Sequence, residues 1–297
     1  MAMPLKKLIK LHGIAFSVLA FVVSLISLSL GDFNEKISLV LLAVFIVMLG
    51  VPHGSLDTLF AKELFNLSQL KKWSKFILIY SIIAALVVAF WWLLPTLFLI
   101  LFLLISIIHF SDDLIAGTPK LSRILYGGII IFLPALLHTN ELTRLYGYLI
   151  EIEHAKLLVT ICHYIAFPWL LGLLIIIYQL CRSNIVGSLE IAAVAMLAIF
   201  TPPLLAFTVY FCAMHSARHL IRSIQFLENT PKKAMLASLL IPTLVVFAVG
   251  YMVWQNMMPI SIDASLIKIL FVTLAALTVP HMMLLQKSEF SNWIKKN

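Results

Sequence analysis

Ten stretches of roughly 15–25 apolar residues run through this chain, with very few charged residues inside them. A membrane core about 30 Å thick demands about 20 such residues from each crossing helix. The candidate spans are 11–30, 37–54, 74–92, 94–111, 121–138, 156–180, 187–201, 203–221, 234–254 and 264–284. Pro95 parts the third from the fourth, and Thr201-Pro202-Pro203 parts the seventh from the eighth. The runs are helix-length and do not alternate, so a β-barrel is disfavoured. Charged residues make up 11% of the chain and hydrophobic ones 62%, with a mean hydropathy of +1.07. A soluble domain carries about 25% charge. The expected fold is an all-α integral membrane protein, a multi-span bundle of about ten helices. No repeat, linker or low-complexity tract divides it, so residues 1–297 are read as a single polytopic membrane domain.

The basic residues test that count. Lys6, Lys7 and Lys10 precede the first apolar run and give it the look of a signal peptide. The run is too long for one and lacks a small-residue cleavage site, so it is read as the first span. Ten spans put both termini on one side. Of the 21 Lys and Arg, 17 fall on that side, leaving Lys36, Arg144, Lys156 and Lys268 on the other. The positive-inside rule then makes both termini cytoplasmic in a multi-pass protein of the cell membrane. The net charge of +8 follows from this topology and does not indicate nucleic-acid binding. On this topology residues 57–73 form an amphipathic inner loop and residues 139–155 an acidic outer one. Cys162, Cys181 and Cys212 have no paired spacing and read as small buried hydrophobes.

Five of the nine histidines fall at the cytoplasmic ends of even-numbered spans: His53, His109, His215, His219 and His281. An ionisable group in the membrane is a functional-site hypothesis by default, and imidazole is the commonest protein metal ligand. His215 and His219 are four apart, as are His53 and Asp57, and His109 and Asp113. Residues so spaced share a helix face. His215 and His219 can therefore take one ion together. Asp57 and Asp113 can orient an imidazole through its second nitrogen, or stand beside the site as a water or proton relay. Gly54 leaves room for close helix approach. Neutral imidazoles suit Zn, Cu, Fe or Ni. A structural zinc site usually includes cysteine, and none is near, which favours ferrous iron (Fe2+) and oxygen chemistry. His12, His138, His154 and His163 lack such partners. His138 and His154 read as solvated on the outer side, and His163 as a packing residue.

Pro52-His53-Gly54-Ser55-Leu56-Asp57, His109-Phe110-x-x-Asp113 and His215-Ser216-x-Arg218-His219, in this order, resemble the Brp/Blh-type β-carotene 15,15′-dioxygenases. The resemblance runs from the second span to the tenth. It implies iron on His53, His109, His215 and His219, with His281 a further recurrent position. It also implies an activity: Fe(II) and O2 cleave β-carotene at its central double bond and release two retinals, which a microbial rhodopsin can use. Ser111 stands where this family often has Gly, and Ser55 where Ala is common; both are small-for-small changes that bear on pocket shape. A carotenoid is delivered through the lipid bilayer, so an apolar tunnel with the metal at its middle is expected. Phe110, Tyr210 and Phe211 are candidate tunnel liners, with ordinary bundle packing at least as strong a reading for each. Gly54, Ser55 and Ser111 flank the ligand positions and could set the cleavage register.

Rival readings are weaker. Histidine-box di-iron desaturases need about eight histidines in HxxxH and HxxHH clusters, and only one HxxxH is present. Transporters favour repeats and broken helices, hinted at only by Thr201-Pro202-Pro203. The spacing leaves a haem protein open. The absence of HExxH disfavours a zinc protease.

Overall fold

The apolar segments become helices in the computed structural model, which describes residues 4–30, 35–114, 118–227, 230–256, 261–288 and 290. The side chains of residues 30, 35–38, 47, 53 and 225 lie outside that description. His53 and Lys36 are thus placed by their backbone alone, while Lys295 and Lys296 lie outside the described residues. Among the described residues there is no strand.

The chain runs as α1 (Leu5–Leu30), α2 (Glu35–Phe45), α3 (Val51–Ser55), α4 (Asp57–Phe65), α5 (Leu70–Leu93), α6 (Pro95–Phe110), α7 (Lys120–Gly127) and α8 (Ile129–Phe132). It continues as α9 (Thr139–Gly147), α10 (Ile152–Ser183), α11 (Ile185–Phe200), α12 (Pro203–Val209), α13 (Ala217–Phe226), α14 (Lys232–Asn256) and α15 (Ile262–Lys287). Two wide π-helical segments interrupt it: Ile46–Gly50 between α2 and α3, and Tyr210–Ser216 between α12 and α13. The stops follow local chemistry. Pro95 and Pro203 each open a helix where no backbone donor is needed. Asn184 caps α11 by accepting from the Gly187 N–H at 3.1 Å. Asn66 ends α4 in the left-handed region, with φ of 45°.

Among the described residues, seven helices are long and apolar enough to cross a membrane, or eight with the bent pair Lys120–Leu136 and Thr139–Gly147. Each of the ten expected segments has a helical counterpart, but the count of ten spans is not reached. The fifth bends by 109° at its end. The second is broken by the π segment and Pro52, and the seventh, α11, has only 16 residues. At 1.5 Å per residue α11 covers about 24 Å.

Packing explains two glycines. α1 lies along α11, and a Cβ on Gly13 would stand 1.8 Å from Glu190 Oε1. α7 crosses α6 so closely that a Cβ on Gly127 would stand 2.0 Å from the Ile107 carbonyl oxygen. Arg218, one of the 17 basic residues counted above on the cytoplasmic side, is buried at 1% exposure. Its guanidinium grips both Glu190 oxygens at 2.8 Å. Cys162 and Cys212 are buried as expected, whereas Cys181 is exposed on α10. α5 and α14 have no buried residue; α5 lies against α15, and α14 against α3 and α15.

Candidate functional site

The two π segments meet. A Cβ on Gly50 would stand 2.8 Å from Phe211 Cε1, so the glycine lets one wide turn press on the other. Such wide turns frequently occur at functional sites. The second carries His215 inward, and His109 arrives at the C-terminal end of α6. His109, His215, His219 and His281 are all buried. Their rings form one connected group, with centroids 4.5 Å apart for His109–His215, 5.5 Å for His109–His281 and 5.1 Å for His219–His281.

Two of these imidazoles are held in the same way. His215 Nδ1 lies 3.0 Å from Asp113 Oδ1, and Tyr210 donates its hydroxyl to Asp113 Oδ2 at 2.9 Å. His281 Nδ1 lies 2.7 Å from Asp57 Oδ1, and Tyr80 donates to Asp57 Oδ2 at 2.8 Å. A carboxylate only accepts, so Nδ1 donates in both and Nε2 carries the lone pair. That is the outer support common behind metal-bound histidines. The carboxylates reach across helices: Asp57 serves His281 and Asp113 serves His215.

This donor set fits a metal ion in part. His109 Nε2 and His215 Nε2 stand 3.0 Å apart, the spacing of two neighbouring ligands at a right angle with bonds of about 2.1 Å. Among the described residues, no three His, Cys, Asp or Glu side chains are already gathered around one point. His53, the remaining expected ligand, sits in α3, which packs against α13 and α15; its side chain lies outside the description.

A cavity of about 740 Å³ opens beside this group, between α2–α3, α5, α14 and α15. It falls in the range of about 300–1,000 Å³ that holds small-molecule ligands. Its wall is mostly apolar, with Asp57, Tyr80 and His281 at its polar point. Of the expected tunnel liners Phe110, Tyr210 and Phe211, Phe211 lines this cavity. Phe110 and Tyr210 pack behind the imidazoles, with Phe110 5.1 Å from Tyr210 and 5.0 Å from His215. Ser111 is buried and donates to the Ile108 carbonyl. Gly54 was expected to admit a close helix. A Cβ there would meet nothing within 4 Å, because the residue faces the cavity.

Sequence reasoning missed Tyr80, Glu190 and the role of Arg218. Glu190 had a readable signal, being the lone acid in an apolar run. His12, expected to stand apart, bonds the Ala213 carbonyl at 2.9 Å inside the second π segment. His163 is a satisfied packing residue on the Ala135 carbonyl at 2.7 Å. His138 is part-buried on the Ile199 carbonyl at 3.1 Å, and His154 is half exposed.

No solved structure matches the chain. A curated relative, the Beta-carotene 15,15'-dioxygenase of Uncultured marine bacterium 66A03, is 32% identical over 249 residues, covering 81% of this chain and 90% of the relative. The family profile described as Beta-carotene 15,15'-dioxygenase matches residues 44–288, a stretch that holds every residue of the histidine group and of both carboxylate pairs. The chain belongs to the β-carotene 15,15′-dioxygenase family.

Proposed function

We propose that this chain is a membrane-embedded dioxygenase that cleaves β-carotene at its 15,15′ double bond with O2, giving two molecules of retinal. The observation that carries the reading is the meeting of the Asp57-held His281 with a largely apolar 740 Å³ cavity. Family membership supports the substrate and the bond broken. His53, His109, His215 and His219 would hold Fe(II), with His281 beside them. The iron would supply the redox chemistry that makes O2 reactive toward a carbon–carbon double bond.

The protein's own task is then positioning. One C=C and one O=O bond break and two C=O bonds form, so no proton or water enters or leaves. The site therefore needs no general acid or base, and its carboxylates serve to fix imidazoles. Asp113 and Asp57 lock two rings with Nε2 presented, and Tyr210 and Tyr80 lock the carboxylates. The apolar wall strips water from a hydrocarbon that itself forms no hydrogen bonds. Delivery comes from the bilayer, and the retinal released can supply a microbial rhodopsin. We further propose a multi-pass placement in the cell membrane with both termini cytoplasmic.

The test is incubation of purified, iron-loaded protein in detergent with β-carotene and O2, followed by product separation. Retinal as the sole aldehyde is expected. Unequal aldehydes would keep the oxygenase and lose central cleavage. Intact pigment with iron present would overturn the enzyme and favour a metal-binding transporter.

A further inference from the structure

Nine glycines are described, and seven are explained by packing. At Gly13, Gly50, Gly127, Gly128, Gly147, Gly172 and Gly187 an added Cβ would stand 3.0 Å or less from a neighbouring atom. Gly54 and Gly250 differ. A Cβ at Gly54 meets nothing within 4 Å, and one at Gly250 meets only Ile269 Cγ2 at 3.6 Å, an ordinary contact. Neither has a positive φ, so neither backbone requires glycine. Both sit in helices, α3 and α14, where glycine weakens the helix relative to alanine. Both line the 740 Å³ cavity.

Their positions along the cavity differ as well. Ser55 bonds Thr243 at 2.9 Å, which sets α3 beside the middle of α14. Gly54 therefore lies at the level of the Asp57–His281 pair. Gly250 is seven residues beyond Thr243, about 10 Å along the helix. There the lining includes Tyr251 and Trp254, whose rings are 6.1 Å apart. In the other direction the wall passes from Tyr80 to Trp73, again seven residues or about 10 Å. Trp73 packs in the cluster that holds Met235 and Leu239, at the opposite end of α14 from Gly250. The lining thus extends in two directions, or arms, from the level of the Asp57–His281 pair.

We infer that Gly250 is a specificity-determining residue and that Gly54 keeps the path shared by all substrates open. Gly250 sets the depth of the arm that takes one end group of the carotenoid, and Gly54 keeps clearance for the polyene beside His281. The inference rests on the proposed function. Space is the quantity these two positions control, since no polar atom of either side chain exists to bind anything. Extra carbon atoms in an apolar pocket change discrimination by about 10–200-fold per methylene. Filling position 250 should exclude an end-group ring and spare a shorter substrate that carries a ring at one end only.

The experiment uses the series Gly250→Ala, Gly250→Val and Gly250→Leu, with Gly54→Leu as contrast, each purified in detergent and checked by thermal melting. Two readouts are taken with β-carotene and with a one-ring apocarotenoid aldehyde: pigment retained by metal-free protein, and KM and kcat of the iron-loaded protein. In the Gly250 series, retention of β-carotene should fall and its KM rise with side-chain size, while both stay near wild type for the short aldehyde. Gly54→Leu should impair both substrates. The Ala variant meets only one ordinary contact, so the series survives a failure of Leu to fold. Retention and KM independent of size at position 250, or equal losses on both substrates, would overturn the inference. Iron-loaded wild-type protein that retains β-carotene and leaves it intact would instead refute the proposed function, while retention across the series still reads the seat.

Discussion

Asp57 and His281 are 224 positions apart in the chain, yet Oδ1 of one lies 2.7 Å from Nδ1 of the other. Tyr80 closes the group from a third helix. The arrangement Tyr210–Asp113–His215 repeats it on the far side of His109. Two imidazoles with no sequence relationship are therefore held by the same three-residue device. His281 therefore has the same outer support as His215.

Asp57→Asn should test that equivalence. The amide keeps the shape and loses the charge that fixes the His281 tautomer. Changes to such outer partners cost about 10–100-fold in metal affinity or activity. Iron per chain and turnover should both fall within that range. Tyr80→Phe leaves the carboxylate in place and should cost less than Asp57→Asn. Wild-type iron content and kinetics in Asp57→Asn would reduce the contact to packing.

The imidazoles themselves should be less forgiving. His109→Ala removes the ring that bridges the two held histidines, and His215→Ala removes the one facing it at 3.0 Å. Each should strip iron and abolish retinal formation, as should His53→Ala and His219→Ala. Full iron retention in His109→Ala would show that the metal is held elsewhere.

The helical fold and the gathering of His109, His215, His219 and His281 were legible because both follow from the positions of apolar runs. Counting spans placed His53, His109, His215, His219 and His281 at one end before any packing was known. The carboxylate partners were not legible. Spacing of four pointed Asp57 at His53 and Asp113 at His109, whereas helix packing sends them to His281 and His215. Tyr80 carried no signal, since a tyrosine in an apolar helix with no buried residue resembles any other. The π segments were invisible to a 3.6-residue period, and they decide how Phe211 and His215 are turned. Gly54 was read both as a residue of close helix approach and as one that could set the register, because a sequence cannot show whether the space beside a glycine is filled.

Topology gives a separate check. Burial of Arg218 and Arg123 removes two charges from the inner side of the positive-inside count, and a large excess remains. Reporter fusions after Asn297 and in the loop at Glu151 should report opposite sides, with the C-terminal one cytoplasmic. Reporters on the same side would break the ten-span orientation.

The last expectation concerns the Arg218–Glu190 pair, which ties α13 to α11 with both partners at 1% side-chain exposure or less. Arg218 also donates to the Asp113 carbonyl at 2.9 Å, so the pair braces the backbone that carries the His215 support. Removing one member of a buried pair costs about 3–5 kcal/mol, because the other charge is stranded. Glu190→Leu and Arg218→Met should each lower the melting temperature in detergent sharply. Replacing both with apolar residues is often neutral or stabilising, so the double variant should melt near wild type. Its activity should not return with its stability, since the bond to the Asp113 carbonyl is gone. Melting and turnover measured on the three variants separate the roles. Single variants as stable as wild type would show the pair to be unimportant, and a double variant with full turnover would remove Arg218 from the support of His215.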